Sequence, residues 1–340
     1  MGEHDMTGEM TPERYREVAA AVEAAVQTVI VGQDALVRMV LTCLLCEGHA
    51  LVEGVPGLGK TQLLTTLTSA LDLRQARVQC TPDLLPADII GAQILSEDGH
   101  GRRSLEFRPG PVFTNLLLAD EVNRATPRTQ AALLEAMAER RVTTSGATRD
   151  LPRPFFVMAT QNPVEMEGTY PLPEAQLDRF LLKAIVPFPT AAEVTAIVLR
   201  TTGAPPPPVA QVTDAATVAA MIALTRQVPI ANHLAAHAAD LVIATQPSDP
   251  TAPDLVRRYV RFGASPRGAQ ALVLSAKATA LLDGRPSVSA ADVRANAHAA
   301  FRHRLVLGYE AVVDGVAADT VVDAVLAAVP APGVGIRGAP

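Results

Sequence analysis

Gly54-Val55-Pro56-Gly57-Leu58-Gly59-Lys60-Thr61 matches the phosphate-loop pattern G-x-x-x-x-G-K-[ST] at every fixed position. The apolar run Ala50-Leu51-Val52 stands before it and reads as a buried strand, and Gln62 to Leu71 reads as a helix. Strand, loop and helix in that order are the context the motif needs. Glycines let the backbone curl so that its N–H groups face phosphate oxygens, and the helix that starts near Lys60 adds its positive end. Lys60 would bring a full charge to the β- and γ-phosphates, and the Thr61 hydroxyl would ligate a magnesium ion. The plain alternative is a glycine-rich turn that matches by chance, and the flanking elements count against it.

A phosphate loop alone says that a nucleotide binds. A second feature points to hydrolysis. Leu116-Leu117-Leu118-Ala119 is an apolar strand run that ends in Asp120-Glu121. Ligands gather at the carboxyl ends of buried parallel strands, so acids at such a tip fall beside the loop. Asp120 would hold magnesium through water, and Glu121 would act as general base on the attacking water. An isolated Asp-Glu pair would read as two solvated acids; its order after the loop favours the catalytic reading. A third strand run, Pro154 to Thr160, ends in Gln161-Asn162-Pro163. Asn162 would then lie next to Glu121, where an amide can bond both the γ-phosphate and the water. By itself Asn-Pro is a turn signal.

Together these segments resemble an AAA+ ATPase, and more finely the MoxR family within the clade that carries an insert in helix 2. The residues that carry the resemblance are Val31-Gly32-Gln33, Gly54 to Thr61, Leu118 to Ala125, Thr129 to Met137, Ala159 to Pro163, Glu167 to Phe180, and Gly263-Ala264-Ser265-Pro266-Arg267. They span nearly the whole chain, and the block from Gly168 to Phe180 is the most specific. The resemblance implies an α/β P-loop core, a parallel sheet flanked by helices with two β-hairpin insertions, followed by an all-α lid. It implies that Gly32 and Gln33 pack on adenine, and that Val55, Pro56, Leu58 and Gln62 join the three loop glycines around ATP. Arg179 matches an arginine finger that reaches a neighbouring subunit, with an ion pair to Asp178 or Glu174 as the structural alternative. Arg267 matches a second sensor that acts in cis or in trans. Arg124 and Arg128 are weaker finger candidates.

Shared sites imply a homo-oligomeric ring, a hexamer by resemblance. The resemblance also implies a protein client and a partner bearing a von Willebrand factor A domain. Two alternatives stay open. A nucleic-acid motor of the same clade would share the hairpins, but the net charge of −6 and pI of 5.7 lack a basic footprint. A slow nucleotide-gated scaffold is the other, and Glu121 argues against it.

Composition agrees with a globular chain: half the residues are hydrophobic, and no apolar run approaches the length of a membrane span. The acidic, polar start lacks a signal-peptide pattern, so a cytoplasmic location is expected. Cys43 and Cys46 form a C-x-x-C inside an apolar helical pattern without a second pair, which reads as core packing. The expected division is a tail at 1–10, a core at 11–189, a helical lid at 190–328 and a tail at 329–340. Thr190-x-x-Glu193 and Ser289-x-x-Asp292 read as helix starts, as does Ser265-Pro266. Pro205 to Pro208 reads as a stiff connection. Ile89 to Arg108 and Arg141 to Leu151 read as the two hairpins. In related rings such hairpins project towards a central pore.

Overall fold

The computed structural model describes residues 9–55, 57–97, 103–162, 168–203 and 208–332. Pro56, most of the first hairpin's turn, Pro163 and Glu167, most of the proline run and most of both expected tails lie outside the described residues. By contacts the chain forms two compact units. One comprises Glu17–Ile222; the other joins Met1–Arg16 to Ala223–Pro340.

In the first unit, most of helix α1 (Pro12–Gln27) and α2 (Asp34–Leu45) lead into strand β1 (Ala50–Glu53) and helix α3 (Lys60–Leu71). Strand β2 (Gln75–Gln79) and the short α4 (Pro86–Ile90) come before the antiparallel pair β3 (Ala92–Glu97) and β4 (Arg103–Arg108). Then follow β5 (Leu116–Asp120), α5 (Pro127–Glu139), and the antiparallel pair β6 (Arg141–Thr144) and β7 (Ala147–Asp150). Strand β8 (Phe156–Gln161), α6 (Glu174–Leu177), β9 (Leu182–Ile185) and α7 (Ala191–Thr201) complete it, with most of α8 (Ala215–Gln227). Five strands form one parallel sheet in the order β2-β5-β8-β1-β9. Its central strands are buried on both faces, as parallel strands covered by helices must be: β5 and β8 are buried through all but their last residue. Phe156, Leu117, Leu51 and Leu63 are among the fully buried side chains.

Both hairpins are present. The second turns on Ser145 and Gly146, each with a positive φ, 52° and 79°, the two-residue turn whose twist matches the flanking strands. The first starts later than the sequence suggests. Ile89 and Ile90 belong to α4, because Pro86 opens a helical turn and Asp88 Oδ2 accepts the Leu85 N–H at 2.9 Å. Arg149 of β7 lies 3.8 Å over the ring of Phe107 of β4, and Phe107 meets Phe113 edge-on.

The compact units part at 222/223, whereas the sequence suggests a boundary at 189/190. Helix α7 explains the difference. Its Thr190–Glu193 capping box is formed, and Arg200 at its far end donates to the carbonyls of Gln27 and Thr28.

In the second unit the remaining elements are α9 (Asn232–Ile243), α10 (Asp254–Tyr259), β10 (Val260–Phe262), α11 (Pro266–Leu282), α12 (Ala290–Ala295) and α13 (Ala297–Phe301). Strand β11 (Val306–Leu307), α14 (Tyr309–Val313) and α15 (Ala318–Ala328) end the chain's described part. Ser265 and Ser289 cap α11 and α12 with their side chains. The unit is helical, with one addition to an all-α reading. β10 and β11 pair antiparallel, a two-strand ribbon favoured by the Val-Arg-Phe run that ends at Gly263. Cys43, Cys46 and Cys80 are all buried. No described helix is long and apolar enough to cross a membrane.

Candidate functional site

Three neighbouring strands of the parallel sheet, β5, β8 and β1, run in the same direction. Their carboxyl ends therefore come together, and they carry Asp120-Glu121, Gln161-Asn162 and Glu53-Gly54 respectively. The phosphate loop leaves β1 at Gly54. A Cβ at Gly54 would meet Val186 Cβ and the Val186 carbonyl oxygen at 3.1 Å, so the loop starts where a side chain barely fits. Gly57 and Gly59 hold φ of 84° and 73°, and a Cβ on either would meet nothing within 4 Å. The loop is thus a left-handed cradle bordered by open space. Lys60 opens α3, and its ammonium donates to the Gly54 carbonyl at 2.7 Å. Burial holds that ammonium below the usual lysine value, while Asp120 and Glu121 pull it back up. Thr61 and Gln62 are exposed in the first turn of α3.

Thr160 joins the two acids. Its hydroxyl donates to Asp120 Oδ1 at 2.6 Å and accepts the Glu121 N–H at 2.8 Å. Glu121 has φ of 54°, a left-handed conformation that non-glycine residues seldom take, and Thr160 helps to hold it there. Around the acids stand cations and an amide. Arg77 reaches Asp120 Oδ2 at 2.8 Å. Gln79 Nε2 donates to Glu121 Oε2 at 3.2 Å, and Arg124 pairs with the same oxygen at 3.3 Å. Asn162 is buried beside them at the end of β8. Cys80 follows β2, and burial, with Asp120 and Glu121 adding to it, pushes its thiol up to about 12, so it is no nucleophile here.

On the other side of the loop, Gly32 has φ of 70°, and a Cβ there would collide with Glu193. Gln33 Nε2 donates to the Leu58 carbonyl at 2.7 Å, tying this segment to the phosphate loop. Its Oε1 is buried without a hydrogen-bond partner among the described residues.

The comparisons agree with this arrangement. The family model for "ATPase family associated with various cellular activities (AAA)" matches residues 49–182, and that for an AAA lid domain matches 253–325. Chaperone MoxR1 of Mycobacterium tuberculosis is 41% identical over 90% of this chain and 80% of its own length. Protein MoxR of Paracoccus denitrificans is 34% identical over 94% of this chain and 96% of its own. A crystal structure from Cytophaga hutchinsonii, of a protein named only provisionally as an ATPase, superposes with a TM-score of 0.88 at 37% identity. That match covers 95% of this chain and 97% of that one.

The chain belongs to the MoxR family of AAA+ ATPases.

The arginines proposed from the MoxR resemblance fall in different places. Arg179 is exposed just after α6 and donates to the Leu134 carbonyl at 2.5 Å. It lines a cleft of about 440 Å³ with Glu135, Glu139, Arg141 and Gln176, none of which belongs to the phosphate loop. Arg124 sits against its own chain's Glu121, whereas Arg128 is exposed at the start of α5. Arg267 lies in the first turn of α11 in the other compact unit.

Sequence reasoning missed Arg77, Gln79 and Thr160. For the first two the sequence shows only the alternation, and the sheet supplies the register. Arg77 and Gln79 alternate on an edge strand in register with Leu118 and Asp120, so both face the side where the acids lie.

Proposed function

We propose that this chain hydrolyses ATP to ADP and phosphate with magnesium, and couples the cycle to remodelling, maturation or cofactor insertion of a partner protein. The observation that carries the reading is the convergence of an open left-handed phosphate cradle, two adjoining acids and a buried amide on neighbouring strand ends. The residues fit the nucleotide. The cradle is open, the lysine is partly desolvated, and Thr61 and Asp120 supply the oxygen ligands magnesium prefers. Bound there, the metal would neutralise charge that builds on the phosphates.

Lys60 would leave the Gly54 carbonyl for the β- and γ-phosphates. Thr61 would ligate the metal directly and Asp120 through water. Glu121 would take the proton of the attacking water, with Asn162 orienting that water and the γ-phosphate. Gly32 and Gln33 would face adenine, and the orphan Gln33 oxygen is an acceptor for a donor on the base. Arg179, which lies away from its own chain's loop, would serve a neighbouring subunit's γ-phosphate in a ring of like chains, a hexamer by family resemblance. Arg267 would complete the site from the lid, in cis or in trans. The helical lid, expected from 190 and set apart as a compact unit from Ala223, would move with nucleotide state, and a cytoplasmic partner with a von Willebrand factor A domain would receive the motion.

Glu121→Gln tests this. It keeps shape and nucleotide binding but removes the base, so turnover should fall about 10²–10⁴-fold. Expressed with a tag in the source cell, it should retain ATP and its partner. Co-purification of a von Willebrand factor A protein or a cofactor enzyme supports the reading. Nucleic acid that survives moderate salt and is lost with Lys60→Ala would replace it with a nucleic-acid motor.

A further inference from the structure

Each acid of the site is in contact with an arginine of this chain, Asp120 with Arg77 and Glu121 with Arg124. Lys60 Nζ is committed to the Gly54 carbonyl. Asp120 is paired instead with Arg77, whose Nη2 lies 2.8 Å from Oδ2, while its other oxygen takes the Thr160 hydroxyl. The same Arg77 nitrogen donates to Gln79 Oε1 at 2.6 Å, so the guanidinium is held at two points and its pose is defined. Arg77 projects from β2, the edge strand of the sheet, and is half-exposed, while Asp120 is mostly covered. A long side chain on an edge strand can swing into water without disturbing the sheet.

We propose that Arg77 is an internal competitor for the metal position: its guanidinium occupies the Asp120 carboxylate when no divalent cation is there, and magnesium nucleotide must displace it. The inference rests on the reading of Thr61 and Asp120 as the magnesium end of the site. A guanidinium and a divalent cation repel each other, and the Oδ2 that Arg77 holds is the acceptor a magnesium-bound water would need, since Oδ1 already takes the Thr160 hydroxyl. Arg77 therefore sets how much magnesium the site requires, and keeps the mostly covered Asp120 carboxylate paired between cycles. Its charge matters for this, and its shape does not.

The experiment titrates magnesium into purified full-length protein with N-methylanthraniloyl-ADP, which cannot turn over, and follows the fluorescence gain. The pair is partly exposed, so its removal should lower the half-saturating magnesium concentration by about three- to fivefold in Arg77→Gln. Arg77→Lys keeps the competing charge and should stay within about twofold of the wild type. Circular dichroism melts of the three proteins check that all are folded. An unchanged or higher magnesium requirement in Arg77→Gln overturns the proposal. So does an equal fall in Arg77→Gln and Arg77→Lys, because shape rather than charge would then matter. Wild-type binding that ignores magnesium would instead strike the metal reading of Asp120 itself, and the inference with it.

Discussion

His49 stands at the opposite end of β1 from the phosphate loop and offers a measurable test of how the core is keyed. Its ring is buried, with Nε2 3.0 Å from the Met137 carbonyl at the end of α5, and Nδ1 accepting the Val157 N–H of β8 at 3.1 Å. One tautomer satisfies both bonds, with the proton on Nε2. A second proton would point Nδ1–H at the Val157 N–H and place a charge in an apolar interior. Burial is the main reason the ring's pKa is lowered to about 4, with the Arg140 charge adding to it and the Met137 bond opposing it. The folded value lies below the unfolded one, so between them the unfolded chain binds more protons. The contribution is complete above pH 6.5 and is lost as pH falls towards 4. Between pH 7.5 and pH 5.0 linkage gives a loss of about 2 kcal/mol. Urea titration of the wild type and of His49→Gln at both pH values reads it. The variant should be less stable at pH 7.5 by about 1–3 kcal/mol, because a buried partner is left poorly bonded. Its further loss on acidification should be smaller than the wild type's by about 2 kcal/mol. Equal acid sensitivity of the two proteins, within about 0.5 kcal/mol, would refute the assignment of the neutral, doubly bonded ring.

Two further predictions concern the ring and the hairpins. Arg179→Ala should bind ATP normally and hydrolyse it slowly, by as much as ~10³-fold, and mixing with Lys60→Ala subunits should restore part of the rate; undiminished hydrolysis by Arg179→Ala alone would remove it from the site. Arg149→Ala should lose a ring–guanidinium contact worth about 0.5–1 kcal/mol and speed amide exchange in β3 and β4, and exchange that stays at the wild-type rate would show that the hairpins are not joined there.

Much of the core was legible because its signals are local. The loop pattern fixes its own strand and helix, and acid-tipped apolar runs announce parallel strands with their ends together. The capping residues Thr190, Ser265 and Ser289 announced helix starts that the structure contains. The Ser145-Gly146 turn likewise gave away the second hairpin. What escaped was non-local. Whether Arg77 reaches Asp120 depends on strand register, which only the assembled sheet supplies. The grouping of α7 with the core depends on Arg200 reaching carbonyls at the end of α1, far away in sequence. Ile90 misled for a different reason. An apolar residue between turn signals suits a strand as well as a short helix, and the Asp88 cap decides it.

The far end of the phosphate helix has a fastening of its own. The Ala70 carbonyl near the end of α3 accepts N–H groups from both Val212 and Thr213, at 2.8 and 3.1 Å. Ala70 lies ten residues along α3 from Lys60, a stiff rod of about 15 Å. A tilt of about 5° pivoting at the cradle would carry the clasped segment of chain through about 1.3 Å. The segment that leads into α8 is thereby tied to the same helix whose first turn carries Lys60 and Thr61.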